Sequence, residues 1–457
     1  MQAILDYLYQ HRETNLRRLE TLLRIPSVAN DAQAVPDIAR CAEQVAAFLT
    51  EAGMEEVQVM PTGGHPLVTA FWRQAPGCPT LLIYGHYDVQ PAGPLEAWTT
   101  PPFAPTIRDE RMYARGAADD KGQFFMHILA IEAIMKVRGS LPVNVVFLIE
   151  GEEEISSPNL ARFLTSHADF LQADWAVISD SAMWAIGQPA ICLGVRGLIN
   201  LELTMTGPKE DLHSGSLGGI LTNPLEALAR LLASVKDAEG RILIPGFYDR
   251  VRPPTVAARQ QLAQFALDET AYLAALGVNA GWGEPDCSLL ERLWLRPTFE
   301  INGFFGGFTG QGSMTVIPSV AKAKISLRLV PEQDPEEMVA LVTAYLLANT
   351  PVGVALHVHR FPSAAHPIEV PETTPPVQAA RQALQEGFGV APLLVREGGS
   401  IPVVSEFKRL LDLDTLMVGF SLPDSRIHGP NENLHLPTFH LGIESLVRFY
   451  HGLAGQE

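Results

Sequence analysis

The sequence predicts an α/β protein in which a discontinuous α/β domain with a mainly parallel sheet is interrupted by an inserted α+β domain. Short apolar runs alternate with helix-like stretches before residue 195 and again after residue 370, which is typical of parallel strands with helices on both faces. Between these parts the strands alternate strictly between apolar and polar residues, which indicates a sheet with one solvent-facing side. The expected bounds are 1–195 plus 370–457 for the first domain and 196–369 for the inserted domain.

The first domain is expected to begin with helices. Leucines recur at helical spacing over residues 1–25 until Pro26 ends the pattern, and a second helix is predicted over 39–52. Three apolar runs then predict buried strands, with helical stretches between them. The runs are TLLIY at 80–84, VNVVFLI at 143–149 and WAVIS at 175–179, and the helical stretches are 122–137 and 159–164. A helix over 374–385 and a buried strand over 415–420 complete the domain.

The inserted domain contains two predicted strands with one polar face each, LINLELTMT at 198–206 and AKAKISLRLV at 321–330. The Gly-rich stretch at 303–312 lacks the residue order and the lysine of a phosphate loop, so a flexible loop is expected there. His357 and His359 have the strand spacing of two ligands on one face, but no acidic partner is nearby in sequence. A strand surface is the favoured interpretation.

Composition excludes several classes of protein. The chain has 457 residues, of which 47% are hydrophobic and 18% charged, so it can bury a large core and is not intrinsically disordered. Its 33 Lys and Arg against 51 Asp and Glu give a net charge of −18, which makes nucleic acid and anionic membranes poor partners. The scattered cysteines suggest no disulfide framework, and neither a basic leader nor a long apolar segment is evident. A cytoplasmic protein is therefore expected.

Polar clusters directly follow the three predicted buried strands. The clusters are Gly85-His86-Tyr87-Asp88, Glu150-Gly151-Glu152-Glu153-Glu154 and Asp180. Ligands in open α/β sheets bind beyond the carboxyl ends of the strands, so these side chains are expected at one edge of the sheet. Two further segments carry similar residues, RGAADDKG at 115–122 and IHGPNE at 427–432.

Each cluster also has an ordinary explanation. An acidic run is usually a solvated face, although this one comes directly after an apolar strand, and Asp119-Asp120 would serve equally well to cap the following helix. His86 and Asp88, however, lie on the same side of a strand. That spacing suits a metal-bound histidine whose other nitrogen is held by a carboxylate. Taken together, the clusters predict a metal site.

The motifs and their order resemble a large family of co-catalytic dimetal metallopeptidases. That family includes aminoacylase, succinyl-diaminopimelate desuccinylase and the carnosinase/cytosolic non-specific dipeptidase group. The resemblance covers essentially the whole chain, and the DLHSGSLGG and REGGSIP forms look most like those of the dipeptidase group. The motifs are GHYDVQP at 85–91, RGAADDKG at 115–122, EGEEEISS at 150–157, ISD at 178–180, DLHSG at 211–215, REGGSIP at 396–402 and HGPNE at 428–432.

The resemblance implies a role for each matching residue. His86 would bind one metal ion, His428 the other, and Asp119 both, while Asp180 and Glu154 would each complete one site. Glu153 would be the general base, Asp88 would orient His86, and the peptide bond after Asp119 would be cis. The three ligand carboxylates are balanced in charge by two divalent cations and one bridging hydroxide. Zinc is the first expectation for the metal, and Mn²⁺ or Co²⁺ would also suit these ligands.

Further residues, several of them in the inserted domain, would complete the site by the same resemblance. His213 would enter the active site of a partner subunit and stabilise the oxyanion, which implies a homodimer. Arg328 would bind the terminal carboxylate of the substrate, although a solvated arginine on the polar strand face is the simple alternative. Thr315, Glu397 and Ser400 are expected to contact substrate, while a plain turn would explain the glycines at 398–399 nearly as well.

The implied activity is metal-dependent hydrolysis of the peptide bond of dipeptides or short peptides. An N-acyl-amino-acid amidohydrolase or deacylase is the alternative, since only its substrate pocket would differ. A catalytically dead binding protein is disfavoured because Glu153 and the whole ligand set are present. A dimetal phosphoesterase is disfavoured because the motifs lack the Lys/Arg cluster that phosphate transfer usually needs.

Overall fold

The computed structural model describes residues 1–265, 267–399 and 401–455 and divides into two compact units. The first unit comprises Met1–Leu193, Val370–Val395 and Glu406–Glu457, and the second comprises Gly194–Glu369 and Arg396–Ser405. The sequence-based bounds place all of 370–457 in the first domain, whereas in the structure residues 396–405 group with the inserted unit. This segment begins within the strand Leu393–Glu397, which starts in the first unit.

The N-terminal part of the first unit alternates helices with strands. The helices are α1 (Gln2–Gln10), α2 (Arg12–Leu23), α3 (Val35–Glu51), α4 (Lys121–Arg138) and α5 (Leu160–Ser166). The strands are β1 (Glu55–Met60), β2 (Leu67–Trp72), β3 (Thr80–His86), β4 (Thr106–Arg108), β5 (Arg111–Tyr113), β6 (Asn144–Glu150), β7 (Trp175–Ile178) and β8 (Ala190–Val195). The prediction of a single helix over 1–25 is therefore wrong. The helix is interrupted at His11, whose φ of −101° and ψ of 6° are not helical.

The inserted unit contains a sheet and several helices. Its strands are β9 (Gly197–Thr206), β10 (Leu212–His213), β11 (Thr298–Gly306), β12 (Val316–Ile317), β13 (Val320–Leu329), β14 (Ala355–Ala365) and β15 (Ile368–Glu369). Its helices are α6 (Ser214–Leu217), α7 (Pro224–Ala233), α8 (Val256–Ala263), α9 (Glu269–Ala275), α10 (Leu289–Trp294) and α11 (Pro335–Ala348). The C-terminal part adds α12 (Pro375–Phe388), β16 (Leu393–Glu397), α13 (Pro402–Leu411), β17 (Thr415–Met417), β18 (Asn433–His435) and α14 (Leu436–Ala454).

The main sheet is mixed, with a parallel centre. Its order is β1-β2-β6-β3-β7-β17-β8-β15, and β16 pairs with β8. Strands β6, β3, β7 and β17 run parallel to one another, whereas β1, β2, β8 and β15 join by antiparallel pairs. The α/β class is thus confirmed, and the expected parallel arrangement holds for the centre only. The central strands are buried along nearly their whole length, as parallel strands covered on both faces must be.

The sheet of the inserted unit has one covered face, as its sequence alternation indicates. The order is β11-β13-β9-β14, with antiparallel pairs throughout. Buried residues alternate with partly exposed ones along β9 and β13, and the buried side chains pack against α7 and α11. His357 and His359 lie exposed on β14. The loop expected at 303–312 is partly wrong, because β11 continues to Gly306 and pairs with β13.

Among the described residues, we find no helix with the length and apolarity needed to cross a bilayer.

Candidate active site

The candidate site is built on the carboxyl ends of three parallel strands. His86 is the last residue of β3 and lies opposite Glu150, the last residue of β6. Strand β7 runs parallel to β3 and ends two residues before Asp180. Because parallel strands end at the same edge of a sheet, residues almost 100 positions apart are brought together here. The predicted gathering of these side chains is observed.

One group of possible metal ligands consists of His86, Asp119 and Asp180. His86 Nε2 lies 3.0 Å from Asp119 Oδ1 and 3.7 Å from Asp180 Oδ2. His86 is fully buried, and the two carboxyls are largely buried. One imidazole nitrogen and two carboxylate oxygens within 4.8 Å of one another can hold a cation.

A second group shares Asp119 with the first. His428 Nε2 lies 3.0 Å from Asp119 Oδ2 and 3.2 Å from Glu154 Oε2. Asp119 therefore directs one oxygen to each histidine, as a carboxylate that bridges two ions would. Its peptide bond to Asp120 is cis, as the resemblance implies. His428 has a φ of 62°, so the backbone of its loop is in the left-handed conformation at this residue.

The donor chemistry of both groups fits divalent transition metals. Each group offers one imidazole and two carboxylates, a mixture that suits zinc and would also accept Mn²⁺ or Co²⁺. Both groups lie at one edge of the sheet and share a carboxylate, so the residues fit a pair of ions rather than a single one.

Asp88 holds both His86 and the backbone of the acidic turn. Its carbonyl oxygen lies 3.1 Å from His86 Nδ1, and its Oδ1 lies 3.4 Å from the same nitrogen. Its carboxylate also accepts hydrogen bonds from the backbone N–H of Glu153 at 3.3 Å and of Glu154 at 3.0 Å. The sequence places Asp88 near His86, and the structure shows the two groups close together, whereas the contact to the acidic turn does not follow from the sequence.

The electrostatics of the site favour cations. Burial raises the pKa of Asp180 to about 7, and the charge of Asp119 acts in the same direction. Burial would also raise the pKa of Asp119, but hydrogen bonds with His428 and His86 outweigh it and the net shift is downward. Hydrogen bonds with Asp119 and Glu154 raise the pKa of His428 to about 10. Crowded carboxylates of this kind bind protons unless metal ions replace them.

Glu153 lies on a short 3₁₀ turn, Glu153–Ile155, just after β6. Burial raises its pKa to about 8, and the carboxylates of Asp180 and Glu154 add to the shift while His86 opposes it. Such a carboxyl can exchange protons near neutral pH. Ser156 and Ser157, which follow this turn, have φ of 69° and 47°, so the chain turns sharply just after it.

Glu432 and Arg115 form a buried ion pair that the sequence analysis does not predict. Both side chains are only 1% exposed, and Arg115 Nη1 lies 2.7 Å from Glu432 Oε2. Glu432 also accepts hydrogen bonds from the backbone N–H of Gly116, Ala118 and Asp119. Arg115 Nη2 donates to the carbonyl oxygen of His428 at 3.0 Å. The pair therefore connects the loop of the shared aspartate to the loop of the second histidine.

Glu150 is a second buried carboxylate that sequence reasoning did not assign. It accepts hydrogen bonds from Tyr84 Oη and, at 2.9 Å, from Ser157 Oγ. Burial raises its pKa to about 7. These contacts connect β3 and β6 to the far end of the turn that carries Glu153. The available sequence signal for Glu150 is its place as the first residue of the EGEEE motif, directly after an apolar run.

The expected residues of the inserted unit are distributed as follows. His213 ends β10 and lies 3.4 Å from Thr315 Oγ1 through its Nε2. Arg328 lies on β13 and is half-buried, and Glu397 ends β16, where burial raises its pKa. The structure thus places His213 beside Thr315. Ser400 lies outside the described residues.

Comparisons with known proteins agree with this geometry. Residues 82–451 match the description "Peptidase family M20/M25/M40". The Cys-Gly metallodipeptidase DUG1 of Candida albicans is 30% identical over 99% of this chain and 97% of that protein, and the Beta-Ala-His dipeptidase of Mus musculus is 30% identical over 100% and 96%.

Solved structures give the same relationship. The di-peptidase Dug1p from Saccharomyces cerevisiae has a TM-score of 0.80 at 28% identity, covering 100% of this chain and 99% of that one. The M20 family metallo-carboxypeptidase Sso-CP2 from Sulfolobus solfataricus has a TM-score of 0.82 at 31% identity, covering 96% and 99%. The chain is a peptidase and belongs to peptidase family M20/M25/M40.

Proposed function

We propose that this protein hydrolyses the peptide bond of dipeptides or short peptides with two divalent metal ions and Glu153 as the general base. The observation that carries the proposal is the carboxylate of Asp119, whose two oxygens each lie 3.0 Å from a different histidine nitrogen. The relatives named as metallodipeptidases, which align over almost the whole chain, support the same activity.

Five residues would hold the metal pair, which we propose to be zinc. The set is His86, Asp119 and Asp180 for one ion and Asp119, Glu154 and His428 for the other. Three carboxylates with two divalent cations and one hydroxide are electrically neutral, which suits a buried site. When bound, such ions would supply Lewis-acid chemistry, in which they would polarise the scissile carbonyl and make a water molecule more acidic.

The protein's own groups would then move the proton and fix the geometry. Glu153 accepts the proton of the attacking water and passes it to the leaving amine. Asp88 keeps the imidazole of His86 oriented and holds the backbone of Glu153 by a 3.3 Å hydrogen bond. The buried pair of Arg115 and Glu432 keeps the loop of Asp119 in place.

Residues of the inserted unit are proposed to recognise the substrate. Arg328 would bind the terminal carboxylate, because a planar guanidinium matches a carboxylate in shape and charge. Thr315, Glu397 and Ser400 would contact the remainder of the peptide. His213 would stabilise the oxyanion of a partner subunit's reaction.

The homodimer required by this role of His213 is supported by an exposed sheet edge. Strand β11 is at the end of the sheet order of the inserted unit. Its Ile301, Phe304 and Phe305 are 49, 43 and 42% exposed. An apolar edge strand of this kind is a surface that proteins usually cover by pairing with another chain. We also propose a cytoplasmic location, because the scatter of the four cysteines along the sequence gives no disulfide framework of the kind that secreted proteins use.

The proposed activity is tested by metal analysis of the purified protein together with a substrate panel. The panel contains Cys-Gly, β-Ala-His, an N-acetyl amino acid and a longer peptide. We expect two metal ions per chain and release of free amino acids from the dipeptides. Turnover of only the N-acetyl amino acid would support the deacylase, and sequential release from the end of the long peptide would support a carboxypeptidase.

The dimeric site is tested by mixing two inactive variants, His213→Ala and Glu153→Ala. If His213 acts in the partner's site, heterodimers contain one intact site and regain part of the activity. Exchange of subunits is verified with differently tagged chains. No recovery after verified exchange would show that His213 acts within its own chain or not at all.

A further inference from the structure

We infer that Arg196 is a positioning residue that fixes the backbone of the turn Glu397-Gly398-Gly399, hereafter the glycine turn. The inference rests on the proposed function, in which Glu397 contacts substrate. Arg196 immediately precedes β9, and the turn begins at Glu397, the last residue of β16. All of these residues belong to the inserted unit.

Arg196 binds two successive carbonyl groups of the glycine turn. Its backbone N–H donates to the carbonyl oxygen of Glu397 at 3.3 Å, and its Nε donates to the carbonyl oxygen of Gly398 at 2.9 Å. The first bond comes from the main chain and the second from the guanidinium, whose donors lie in a fixed plane, so together they restrain both peptide groups. The backbone from which the Glu397 side chain extends is thereby restrained.

Close packing reinforces this contact at Gly398. A Cβ atom at this position would lie 2.9 Å from Nη2 of Arg196 and 3.0 Å from the carbonyl oxygen of Leu293. The glycine is therefore enclosed between the guanidinium and the end of α10, and a larger residue would displace the turn. This packing explains why the sequence has glycine at position 398.

The other side of the guanidinium is anchored on a rigid network. Arg196 Nη1 donates to the carbonyl oxygen of Arg296 at 3.2 Å. Arg296 in turn pairs with the buried carboxylate of Glu284, with Nη2 and Oε2 2.7 Å apart, and Tyr248 donates to the same carboxylate at 3.1 Å. The segment that contains Tyr248, Glu284 and Arg296 thus supports the glycine turn through Arg196.

Burial distinguishes this arginine from an ordinary surface residue. Arg196 is 9% exposed, and the loss of its hydration costs free energy that only well-placed acceptors offset. A hydrogen bond from a charged group to a buried carbonyl contributes more than a neutral one. Removing the guanidinium therefore should loosen the turn without touching the metal ligands of the other unit.

The test uses Arg196→Met and Arg196→Lys, with Arg252→Met as the matched control. Arg252 lines the same cavity of about 260 Å³ as Arg196 but pairs with Glu332 at 2.8 Å. For Arg196→Met we expect KM for Cys-Gly to rise by about 10- to 100-fold with a smaller change in kcat. Arg196→Lys should recover part of the loss because lysine still donates to one carbonyl, and Arg252→Met should match the wild type.

Hydrogen exchange of the zinc-loaded proteins gives a readout that needs no activity. Peptides covering 396–405 should exchange about 10-fold faster in Arg196→Met than in the wild type and in Arg252→Met. If Arg196→Met proves unstable, Arg196→Lys is read in the same way. Unchanged exchange, or a KM equal to that of the control, would overturn the inference. Faster exchange with no dipeptide hydrolysis even by the wild type would refute the proposed function and leave the positioning role supported.

Discussion

Replacing Glu432 by glutamine should destabilise the fold and weaken metal binding together. The carboxylate accepts two hydrogen bonds on each oxygen, from Arg115 and Gly116 on Oε2 and from Ala118 and Asp119 on Oε1. A glutamine keeps an acceptor on one side only and turns an NH₂ group toward two donors on the other. Arg115 is then left buried without its counter-charge.

The magnitude follows from this burial. Removing one partner of a buried ion pair costs about 3–5 kcal/mol, which corresponds to a decrease in Tm on the order of 3–9 °C for a protein of this size. Because Glu432 binds the backbone N–H of the shared aspartate at 3.1 Å, metal affinity should also fall by roughly 10- to 100-fold. The assays are thermal unfolding at pH 8, above the pKa of about 7 that burial gives Glu432, and competition with a chelator of known affinity.

Asp424→Asn is the matched control. The ion pair of Arg111 and Asp424 connects nearly the same two stretches of chain at 2.9 Å, but Asp424 is 65% exposed. An exposed pair contributes about 0–1 kcal/mol, so this variant should unfold within about 1 kcal/mol of the wild type. The reasoning is refuted if Glu432→Gln behaves like the control in both stability and metal affinity.

Three further predictions concern the site and its support. Glu153→Gln should lower kcat about 10²- to 10⁴-fold while metal analysis shows full occupancy; loss of metal would identify Glu153 as a ligand. Chelation should lower Tm, and the decrease should grow from pH 5 to pH 8. Burial raises the pKa of Asp180 to about 7 and of Glu153 to about 8, so the metal-free fold holds protons that the unfolded chain releases. The stability of the metal-free fold therefore falls as pH rises. A Tm of the metal-free protein that is constant over this range would contradict this. Gly85→Ala should lower the free energy of unfolding in urea by about 1–3 kcal/mol, because its Cβ would lie 2.5 Å from Cβ of Phe124. Gly452→Ala is the control: its Cβ would make only an ordinary contact at 3.8 Å, so the free energy of unfolding should be unchanged or higher.

The parts of the fold that could be predicted from sequence are those with a local signal. Apolar runs at 80–84, 143–149 and 175–179 locate β3, β6 and β7 within two residues at each end, because a buried parallel strand must be apolar throughout. Strict alternation likewise locates β9 and β13. The antiparallel flanks of the main sheet could not be predicted, since strand direction depends on pairing between distant segments.

The same distinction applies to the site. His86 and Asp180 follow strands with a clear pattern, so their positions could be inferred before the structure. Glu432 and Arg115 have no local pattern, and their pairing over more than 300 residues is visible only in three dimensions. Asp88 was assigned one partner on the basis of strand spacing, but its carboxylate also binds the backbone of the acidic turn, which no periodicity reveals.

These supporting contacts explain how loops hold a site with a fixed geometry. Glu154 and His428 lie on turns rather than on strands, and Asp119 precedes a helix, so strand pairing does not fix their positions. The backbone N–H of Glu154 is instead bound by the carboxylate of Asp88, and that of Asp119 by the carboxylate of Glu432. The carbonyl oxygen of His428 accepts a hydrogen bond from Arg115, the partner of Glu432, and Ser157 at the end of the acidic turn donates to Glu150. Such bonds are short and directional. Because Asp88, Glu150 and Glu432 hold these segments, we expect substitutions at these three carboxylates to lower metal affinity although none of the three is a proposed ligand.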